Sequence, residues 1–497
     1  METQKEIAAA TEMVAGTRKI VGSESRLLQR DITPVSADRR YINWVGFFLM
    51  WAGMSILLST FLMGGLGMHS LTLFQTILAI VLANALIAVV LFLVGDIGIE
   101  HGIPFAVYMR APFGIYGTYI PTIIRAVIAA SWFGIQSYLG SLAINGIIKY
   151  FTGFDNFLVW FLVFVGLQLW NCARGINAIK KFDAFAVPII LIISVWMLLR
   201  MIGLAGAKGI DLATFKGSGT GTFWTVVVAN MGYWATMAID ISDITRFVQT
   251  KKGERNYWRR NFHNILGQAL GMPPVMGLIA LIGAIAFVAT GNWNPVEVIQ
   301  STAQGIVLVI LLLMVVFAQW TTNTAANLVP PAMVFVNAGA PRITYSVGVL
   351  IAGAIGVLIQ PWKVLDFLFT FLDYVGSFLA PVAAIIIVDY YIIRRRRLNV
   401  PDLYRADGQY RFVGGWNPAG YIALIAGGIA AISNLKYGYP TGFVVTFVVY
   451  YLLAKFWVYK QYPQKEIESK HSDQYLATTV GKDWPIETKE KSFLDIY

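Results

Sequence analysis

Polar residues that could bind a solute or an ion are concentrated in one strongly apolar segment. The run Trp320-Thr-Thr-Asn-Thr-Ala-Ala-Asn327 lies in a hydrophobic segment that begins near Gly305. Asn323 and Asn327 are four residues apart, so they share one face of a helix. A hydroxyl or amide without a partner in hydrocarbon costs several kcal/mol. Such groups are tolerated where they face a protein-lined cavity, an ion or a solute. The sequence therefore predicts a polar binding site inside a membrane bundle.

A second pair of residues combines an indole with an amide. Trp132 and Gln136 are four residues apart in another long apolar segment and also share a helical face. An indole supplies stacking area, and amides recognise C=O and N–H groups along an edge. The pair favours a flat, uncharged heterocycle as the ligand. Two alternatives stay open: Trp132 as a bilayer-interface anchor, and Gln136 as a helix–helix contact worth about 1 kcal/mol.

The composition is that of a membrane protein. Hydrophobic residues make up 57% of the 497 positions and charged residues only 13%, whereas soluble domains carry about 25% charged residues. A helix needs about 20 apolar residues to cross the bilayer core. Twelve such spans are predicted, at residues 43–66, 71–95, 117–149, 156–172, 183–204, 223–247, 261–290, 305–330, 343–360, 364–393, 418–436 and 438–460.

Basic residues orient these spans. Clusters follow spans 4, 6 and 10, the last including Arg394 to Arg397, and loops of this kind face the cytoplasm. Lys208 and Lys216, after span 5, are the opposing signal. Both termini are predicted to be cytoplasmic, in a multi-pass protein of the cell membrane. Because the net charge of +11 is concentrated in these loops, it indicates topology rather than nucleic-acid binding.

Helix-weakening residues interrupt two spans away from their ends. Gly53 and Ser55 lie within span 1, and Gly232 lies within span 6 between Asn230 and Thr236. Spans 1 and 6 are equivalent if the chain consists of two five-span repeats of opposite orientation. Paired interruptions then indicate a transporter's binding site, because an unwound turn frees carbonyls and amides for ions and solutes. Close helix packing at the glycines is the alternative.

Five sequence blocks resemble the nucleobase:cation symporter family, which includes hydantoin, allantoin and cytosine permeases. The resemblance extends from about Arg40 to about Lys460. It implies an all-α membrane protein with 12 transmembrane helices, in which a five-plus-five inverted repeat with discontinuous helices 1 and 6 is followed by two further helices. The blocks are Met109-Arg-Ala-Pro-Phe-Gly114, Trp132-Phe-Gly-Ile-Gln136, Trp234 with Asp243, Trp320-Thr-Thr-Asn-Thr-Ala-Ala-Asn327 and Val388-Asp-Tyr-Tyr-Ile-Ile-Arg-Arg-Arg-Arg397.

The resemblance also implies a substrate site. In the family, tryptophans from helices 3 and 6 enclose a planar substrate, and amides from helices 3 and 8 bind its edge. The corresponding residues are Trp132 and Trp234 for the aromatic pair, Gln136 and Asn327 for the amides, and Gly232 and Tyr233 for the unwound segment of helix 6. A further amide expected on helix 1 falls on Leu57, as in the cytosine-permease branch. Helices 6 and 8 resemble the hydantoin and allantoin branch instead, so the substrate stays open among these heterocycles.

A cation site is implied in the same way. It uses carbonyls of helices 1 and 8 together with hydroxyls of helix 8. The corresponding residues are Gly53, Ile56, Ala318, Thr321 and Thr322. Five neutral oxygens without a carboxylate are suitable ligands for one Na⁺. The alternative is that the threonine hydroxyls bond to carbonyls one turn earlier in their own helix.

The predicted function is import of a nucleobase-like, hydantoin-like or allantoin-like heterocycle by symport with Na⁺. Helices 1, 2, 6 and 7 would tilt against helices 3, 4, 8 and 9. Protons are the alternative coupling ion, because Asp240 and Asp373 lie at membrane depth. A channel is disfavoured by the interrupted, repeat-equivalent helices and the aromatic sandwich. An enzyme is disfavoured, since the sequence has neither a His/Cys cluster for a metal nor a G-x-x-x-x-G-K-[ST] loop for ATP. The chain is predicted to act as a monomer, without a cofactor or nucleic acid.

The predicted organisation follows from these spans. It comprises a cytoplasmic tail (1–40), the first repeat (41–204), the second repeat (205–393), a basic loop with helices 11 and 12 (394–460) and a second cytoplasmic tail (461–497).

One ion pair is predicted from membrane depth. Arg125 lies early in the outward-running span 3 and Asp243 late in the inward-running span 6, so the two reach a similar level. An unpaired charge at this level is expensive, which favours a pair. Alternatively, Asp243 caps a neighbouring helix and the arginine extends towards the interface.

Overall fold

Helices account for all twelve predicted spans. The computed structural model describes residue 27 and residues 32–35, 37–173, 176–251, 254–292, 294–339 and 342–466, without the side chains of some helical residues, Thr321 among them. Most of both predicted tails lies outside these ranges. The long helices are α1 (Trp44–Ser55 and Leu58–Gly67), α2 (Leu73–His101), α3 (Tyr119–Thr152), α4 (Phe157–Cys172), α5 (Ile176–Ala207), α6 (Phe223–Tyr233, Ala235–Asp240 and Ser242–Thr245), α7 (Phe262–Gly271 and Pro273–Thr290), α8 (Gly305–Asn327, continued by Val329–Gly339), α9 (Tyr345–Leu358), α10 (Leu368–Ile387, continued by the π-helix Val388–Ile393), α11 (Pro418–Ser433) and α12 (Gly438–Leu453).

These helices have the length and composition of a multi-pass membrane protein. Six are long and apolar enough to cross a membrane, or seven if the bent pair of α1 is counted as one span. Shorter apolar helices supply α4, part of α5, α9 and α11. Short helices lie between the spans, at Phe105–Tyr108, Arg110–Phe113, Tyr257–Arg260, Pro295–Thr302 and Pro361–Val364. The predicted all-α membrane fold is confirmed.

Local capping explains where several spans begin. The Thr72 side chain accepts a hydrogen bond from the backbone N–H of Gln75, and the Gln75 side chain accepts one from the N–H of Thr72, at the start of α2. The Asn43 side chain accepts from the N–H of Gly46 at the start of α1. Each cap satisfies amide groups that the first turn leaves without partners. The polar residues that separate apolar spans therefore also set the helix starts.

The first helix is broken at the predicted place. Ser55 ends its first half and Leu58 begins the second, with a bend of 57° between them. Ile56 still donates its N–H to Ala52 and Gly53, but Leu57 is extended, with φ −117° and ψ 152°. Carbonyls near the break lose their regular helical acceptor role, which makes them available for other ligands.

The sixth helix is interrupted at Trp234. Its first half ends at Tyr233, and its second begins at Ala235. Trp234 has φ −97° and ψ 3°, and its N–H is directed to the carbonyl of Gly232. This break and the one in α1 lie five spans apart, as two inverted five-helix repeats require.

Glycines bring two pairs of helices into backbone contact. A Cβ atom added at Gly283 of α7 would lie 1.9 Å from the carbonyl oxygen of Phe61 in α1. A Cβ added at Gly134 of α3 would lie 2.1 Å from the carbonyl oxygen of Gly356 in α9. Neither contact leaves room for a side chain. Close backbone packing at these glycines therefore joins α1 to α7 and α3 to α9.

The chain entering α1 is bonded to the end of α6. Tyr41 and Ile42 donate their N–H groups to the carbonyl of Phe247, each at 3.0 Å, and Gln249 donates to Ile42 at 2.8 Å. Ile42 and Val248 form a parallel bridge. The start of α1 and the end of α6 therefore lie on one side of the bundle, in agreement with opposite directions for these two spans.

Candidate functional site

A cavity of about 300 Å³ lies at the level of both helix breaks. We call it the central cavity. It is lined by Leu57, Trp132, Gln136, Tyr233, Trp234, Thr236, Met237, Thr322, Ala326 and Asn327. These residues come from α1, α3, α6 and α8. Six of the seven residues predicted for the substrate site are thus brought together.

Gly232 is the predicted substrate residue that the structure places elsewhere. It packs against α10, where an added Cβ would lie only 2.6 Å from the carbonyl oxygen of Leu372. The position supports the packing interpretation that the sequence left open. Its contribution to the cavity is indirect: close approach of α6 to α10 positions the neighbouring residues Tyr233 and Trp234.

Aromatic rings enclose much of the central cavity. Tyr233 packs edge-on against both Trp132 and Trp234, with ring centroids 5.2 Å apart in each case. Trp51 supports Trp234 at 5.4 Å, and Phe371 supports Trp132 at 5.8 Å. These two supporting rings could not be identified from the sequence, because neither lies at a motif position.

Several polar atoms of the residues that line this cavity make no hydrogen bond with another described residue. The indole N–H groups of Trp132 and Trp234 and the Oε1 of Gln136 have no hydrogen-bond partner within the described part of the chain. The Nε2 of Gln136 donates to the Ser59 hydroxyl at 2.7 Å, and that hydroxyl lies 2.6 Å from the Tyr233 hydroxyl. The cavity therefore offers two donors and an acceptor beside aromatic surfaces. Ser59 is a further polar contact that the sequence analysis missed.

The two asparagines of α8 have different surroundings. The Nδ2 of Asn323 has three acceptors within hydrogen-bond distance for its two N–H groups: the Phe133 carbonyl at 3.0 Å, the Ser137 hydroxyl at 3.0 Å and the Gln168 side-chain oxygen at 2.9 Å. It thereby ties α8 to α3 and α4. Asn327 donates to the Asn323 side chain at 2.9 Å and lines the central cavity. Asn323 fixes the scaffold, and Asn327 is left to face the cavity.

Two of the residues predicted to bind a cation, Gly53 and Thr322, meet between α1 and α8. The Thr322 hydroxyl donates to the carbonyl of Gly53 at 2.6 Å, across the two helices and not back along its own. Ile56 and Ala318 both line a neighbouring cavity. The Thr321 side chain lies outside the described residues. Neutral oxygens from a broken helix suit a hard monovalent cation such as Na⁺. Among the described residues, no group of three or more His, Cys, Asp or Glu side chains could hold a metal ion.

The predicted pair between Arg125 and Asp243 is wrong. Arg125 pairs with Asp240, and both side chains are fully buried. Asp243 instead accepts a hydrogen bond from the N–H of Phe105 at 2.7 Å, at the start of the helix Phe105–Tyr108. Asp240 and Asp243 are three residues apart in α6, and depth alone did not distinguish them. The capping alternative describes Asp243 correctly.

Two family-like blocks hold the scaffold together outside the cavity. Arg110 is fully buried and donates to the carbonyls of Leu27 and Leu403, at 2.9 and 2.8 Å. Arg394 donates to Asp389 at 2.6 Å, at the π-helical end of α10. Arg110 thus connects segments far apart in sequence, and Arg394 fixes the end of α10.

Fold and cavity together define a class of protein. A multi-pass helical bundle has two interrupted helices five spans apart, and both breaks border a cavity of aromatic rings and amides. This arrangement is typical of transporters with inverted repeats.

The chain belongs to the family of permeases for cytosine/purines, uracil, thiamine and allantoin, whose model matches residues 34–458. It is 32% identical over 456 residues to the hydantoin permease of Microbacterium maritypicum, across 89% of this chain and 92% of the relative. It is 31% identical over 437 residues to the purine-uracil permease of Arabidopsis thaliana, across 82% of this chain and 71% of the relative.

The fold is similar to that of a solved nucleobase-cation-symport-1 family transporter in a closed conformation with bromovinylhydantoin bound. The TM-score is 0.85 at 29% identity, and the match covers 90% of this chain and 100% of the other. The resemblance found in the sequence is confirmed, as is the five-plus-five fold with discontinuous first and sixth helices.

Proposed function

We propose that this transporter imports a planar nucleobase-like, hydantoin-like or allantoin-like heterocycle together with Na⁺. It would act as a monomer in the cell membrane, with both termini in the cytoplasm. The main observation in support of this proposal is the hydrogen bond from the Thr322 hydroxyl to the Gly53 carbonyl. Thr322 lines the central cavity, and its hydroxyl reaches a carbonyl beside the break of α1. Both the ion and the solute would therefore contact the same junction between α1 and α8.

The chemistry of the central cavity supports a heterocycle as the solute. Its indoles provide stacking surfaces for a flat ring. The N–H groups of Trp132 and Trp234 suit ring carbonyls, and the Oε1 of Gln136 suits a ring N–H. A charged solute is disfavoured, because the cavity lining contains no ionisable carboxylate, lysine or arginine.

Coupling would arise from the position of the proposed cation ligands. Gly53 and Ile56 lie beside the break of α1, which packs with α7. Ala318 and Thr322 lie on α8, which Asn323 ties to α3 and α4. A bound Na⁺ would join these two groups of helices. It would thereby stabilise the arrangement that binds the solute, which is the thermodynamic requirement for coupling.

One observation favours proton coupling as a second candidate. Asp373 on α10 is half-buried and makes no hydrogen bond or ion pair with another described residue. Asp240 is less suitable, because Arg125 already neutralises it. An acid at membrane depth without a partner is a reasonable proton acceptor.

Uptake into proteoliposomes distinguishes the two candidates. Labelled uracil, hydantoin and allantoin are offered under a Na⁺ gradient, under a pH gradient and with neither. We expect uptake of at least one heterocycle to require Na⁺. Uptake that follows pH and is abolished by Asp373→Asn would favour the proton, and uptake of none would contradict heterocycle transport.

A further inference from the structure

A second cavity adjoins the central cavity at Leu57. This side cavity has a volume of about 420 Å³. It lies among α1, α5, α7, α8 and the short helix Pro295–Thr302. Leu57 lines both cavities and is 6% exposed. One leucine side chain is therefore part of the wall between them.

The side cavity is apolar apart from two residues, Ser194 and Gln319. Gln319 is completely buried, yet neither its Oε1 nor its Nε2 has a hydrogen-bond partner within the described ranges. A buried polar group left without a partner costs about 1–3 kcal/mol. Apolar walls around one uncommitted amide form a binding site for an apolar group that ends in a hydrogen-bonding atom.

We propose that Leu57 determines substrate size by closing the side cavity. It restricts the solute to a compact heterocycle that fits the central cavity. Beyond it, the side cavity is a latent subsite for an apolar arm whose polar end binds Gln319. This inference rests on the proposed function, since it assumes that a heterocycle occupies the central cavity.

The arrangement of the two cavities supports this role. Shortening Leu57 to alanine removes three carbon atoms at the boundary between them, which should open the central cavity towards the side cavity. The position is also where an amide is expected on helix 1 from the family resemblance, so an apolar residue there changes both the size and the polarity of the wall.

The experiment compares uptake of hydantoin with that of 5-benzylhydantoin by the full-length protein in proteoliposomes. Uracil and 5-benzyluracil form a second pair. Wild type should prefer the unsubstituted compound of each pair. Leu57→Ala should raise the ratio of benzyl to unsubstituted kcat/KM by about tenfold or more, a typical effect of pocket size on apolar groups.

Filling the side cavity should remove this gain. Val315 lines the side cavity from α8 and Ile282 lines it from α7. Val315→Phe or Ile282→Phe, each combined with Leu57→Ala, should return the ratio towards that of wild type. Two fillers from different helices guard against a folding defect in one of them.

Gln319 is tested with an arm that has a polar end. In the Leu57→Ala background, a 4-hydroxybenzyl compound should be favoured over the benzyl compound. Adding Gln319→Leu should abolish that preference while uptake of the benzyl compound persists.

The outcomes separate the inference from the proposed function. If wild type takes up both members of a pair equally well, Leu57 is not a size barrier. If Leu57→Ala still takes up only the unsubstituted compound, the side cavity is not a subsite, although heterocycle transport stands. If wild type takes up and binds neither these four compounds nor allantoin, the proposed function fails and the inference fails with it.

Discussion

The Thr322 hydroxyl on α8 donates a 2.6 Å hydrogen bond to the carbonyl oxygen of Gly53 on α1. This bond joins a helix of the scaffold to the broken helix. It also brings together two of the five oxygens predicted to bind Na⁺. A cation at this place would coordinate both oxygens, and the threonine hydroxyl would keep its proton but no longer donate it to the Gly53 carbonyl.

Loss of this hydroxyl should weaken the binding of Na⁺. Thr322→Val keeps the shape of the side chain but removes an oxygen ligand. We expect the Na⁺ concentration for half-maximal uptake to rise by about tenfold or more, as loss of a hydrogen bond to a charged group implies. Substrate affinity without Na⁺ should change little, because the substitution removes the coupling free energy between Na⁺ and the substrate.

Thr324→Val is the matched control for Thr322→Val. The Thr324 hydroxyl bonds to the Trp320 carbonyl of its own helix at 2.7 Å. Its Na⁺ dependence should stay close to that of wild type. Equal effects of both substitutions would contradict a cation site at Thr322.

The two tryptophans of the central cavity should contribute to affinity by stacking. Trp132→Ala or Trp234→Ala should each weaken substrate binding by about 1–3 kcal/mol, the range for stacking of a base on an aromatic side chain. Binding is measured by tryptophan-independent methods such as radioligand equilibrium. Trp258→Ala is the control, since Trp258 is 69% exposed. Wild-type affinity in both cavity variants, with folding intact, would exclude the stacking role.

The buried pair of Arg125 and Asp240 should behave as a unit. Arg125→Met or Asp240→Leu leaves a buried charge alone and should cost about 3–5 kcal/mol of stability. The double variant should cost less than the sum of the two, which a double-mutant cycle of thermal stability detects. Asp243→Asn should be milder, because asparagine can still accept the hydrogen bond from Phe105. Additive effects of the first two changes would show that the pair contributes nothing in the membrane.

Gly232→Ala tests whether Gly232 serves to pack α6 against α10 or to bind the solute. The added methyl group would meet the Leu372 carbonyl at 2.6 Å, and overpacking of this kind costs about 1–3 kcal/mol. We expect a lower melting temperature. Gly203→Ala is the control, because nothing lies within 4 Å of an added Cβ there. Reduced affinity at unchanged melting temperature would instead assign Gly232 to the solute.

The spans and the two helix breaks could be predicted because they depend on composition along the chain. Long apolar runs must be helical in a bilayer, and the interruption at Gly53 is visible as a local change in residue type. Such predictions require only the order of residues and the rise of a helix. The residues of the cavity were predicted from the family resemblance, together with the helical spacing of Trp132 and Gln136.

The rotation of each helix about its own axis could not be predicted in this way, and neither could the partner that each polar side chain meets. Asn323 and Asn327 share a helical face, yet the first bonds to α3 and α4 and the second lines the cavity. Asp240 and Asp243 lie at similar depth, and the rotation of α6 decides which meets Arg125. These outcomes depend on small rotations fixed by tertiary packing, which a single sequence does not specify.

The backbone bonds between Ile42 and the end of α6 have a practical consequence for measuring motion. They hold the start of α1 and the end of α6 together. Spin labels or fluorophores placed near Ile42 and Val248 should report a constant separation throughout the transport cycle. The distance between these two positions can serve as an internal reference for distance changes measured elsewhere in the protein.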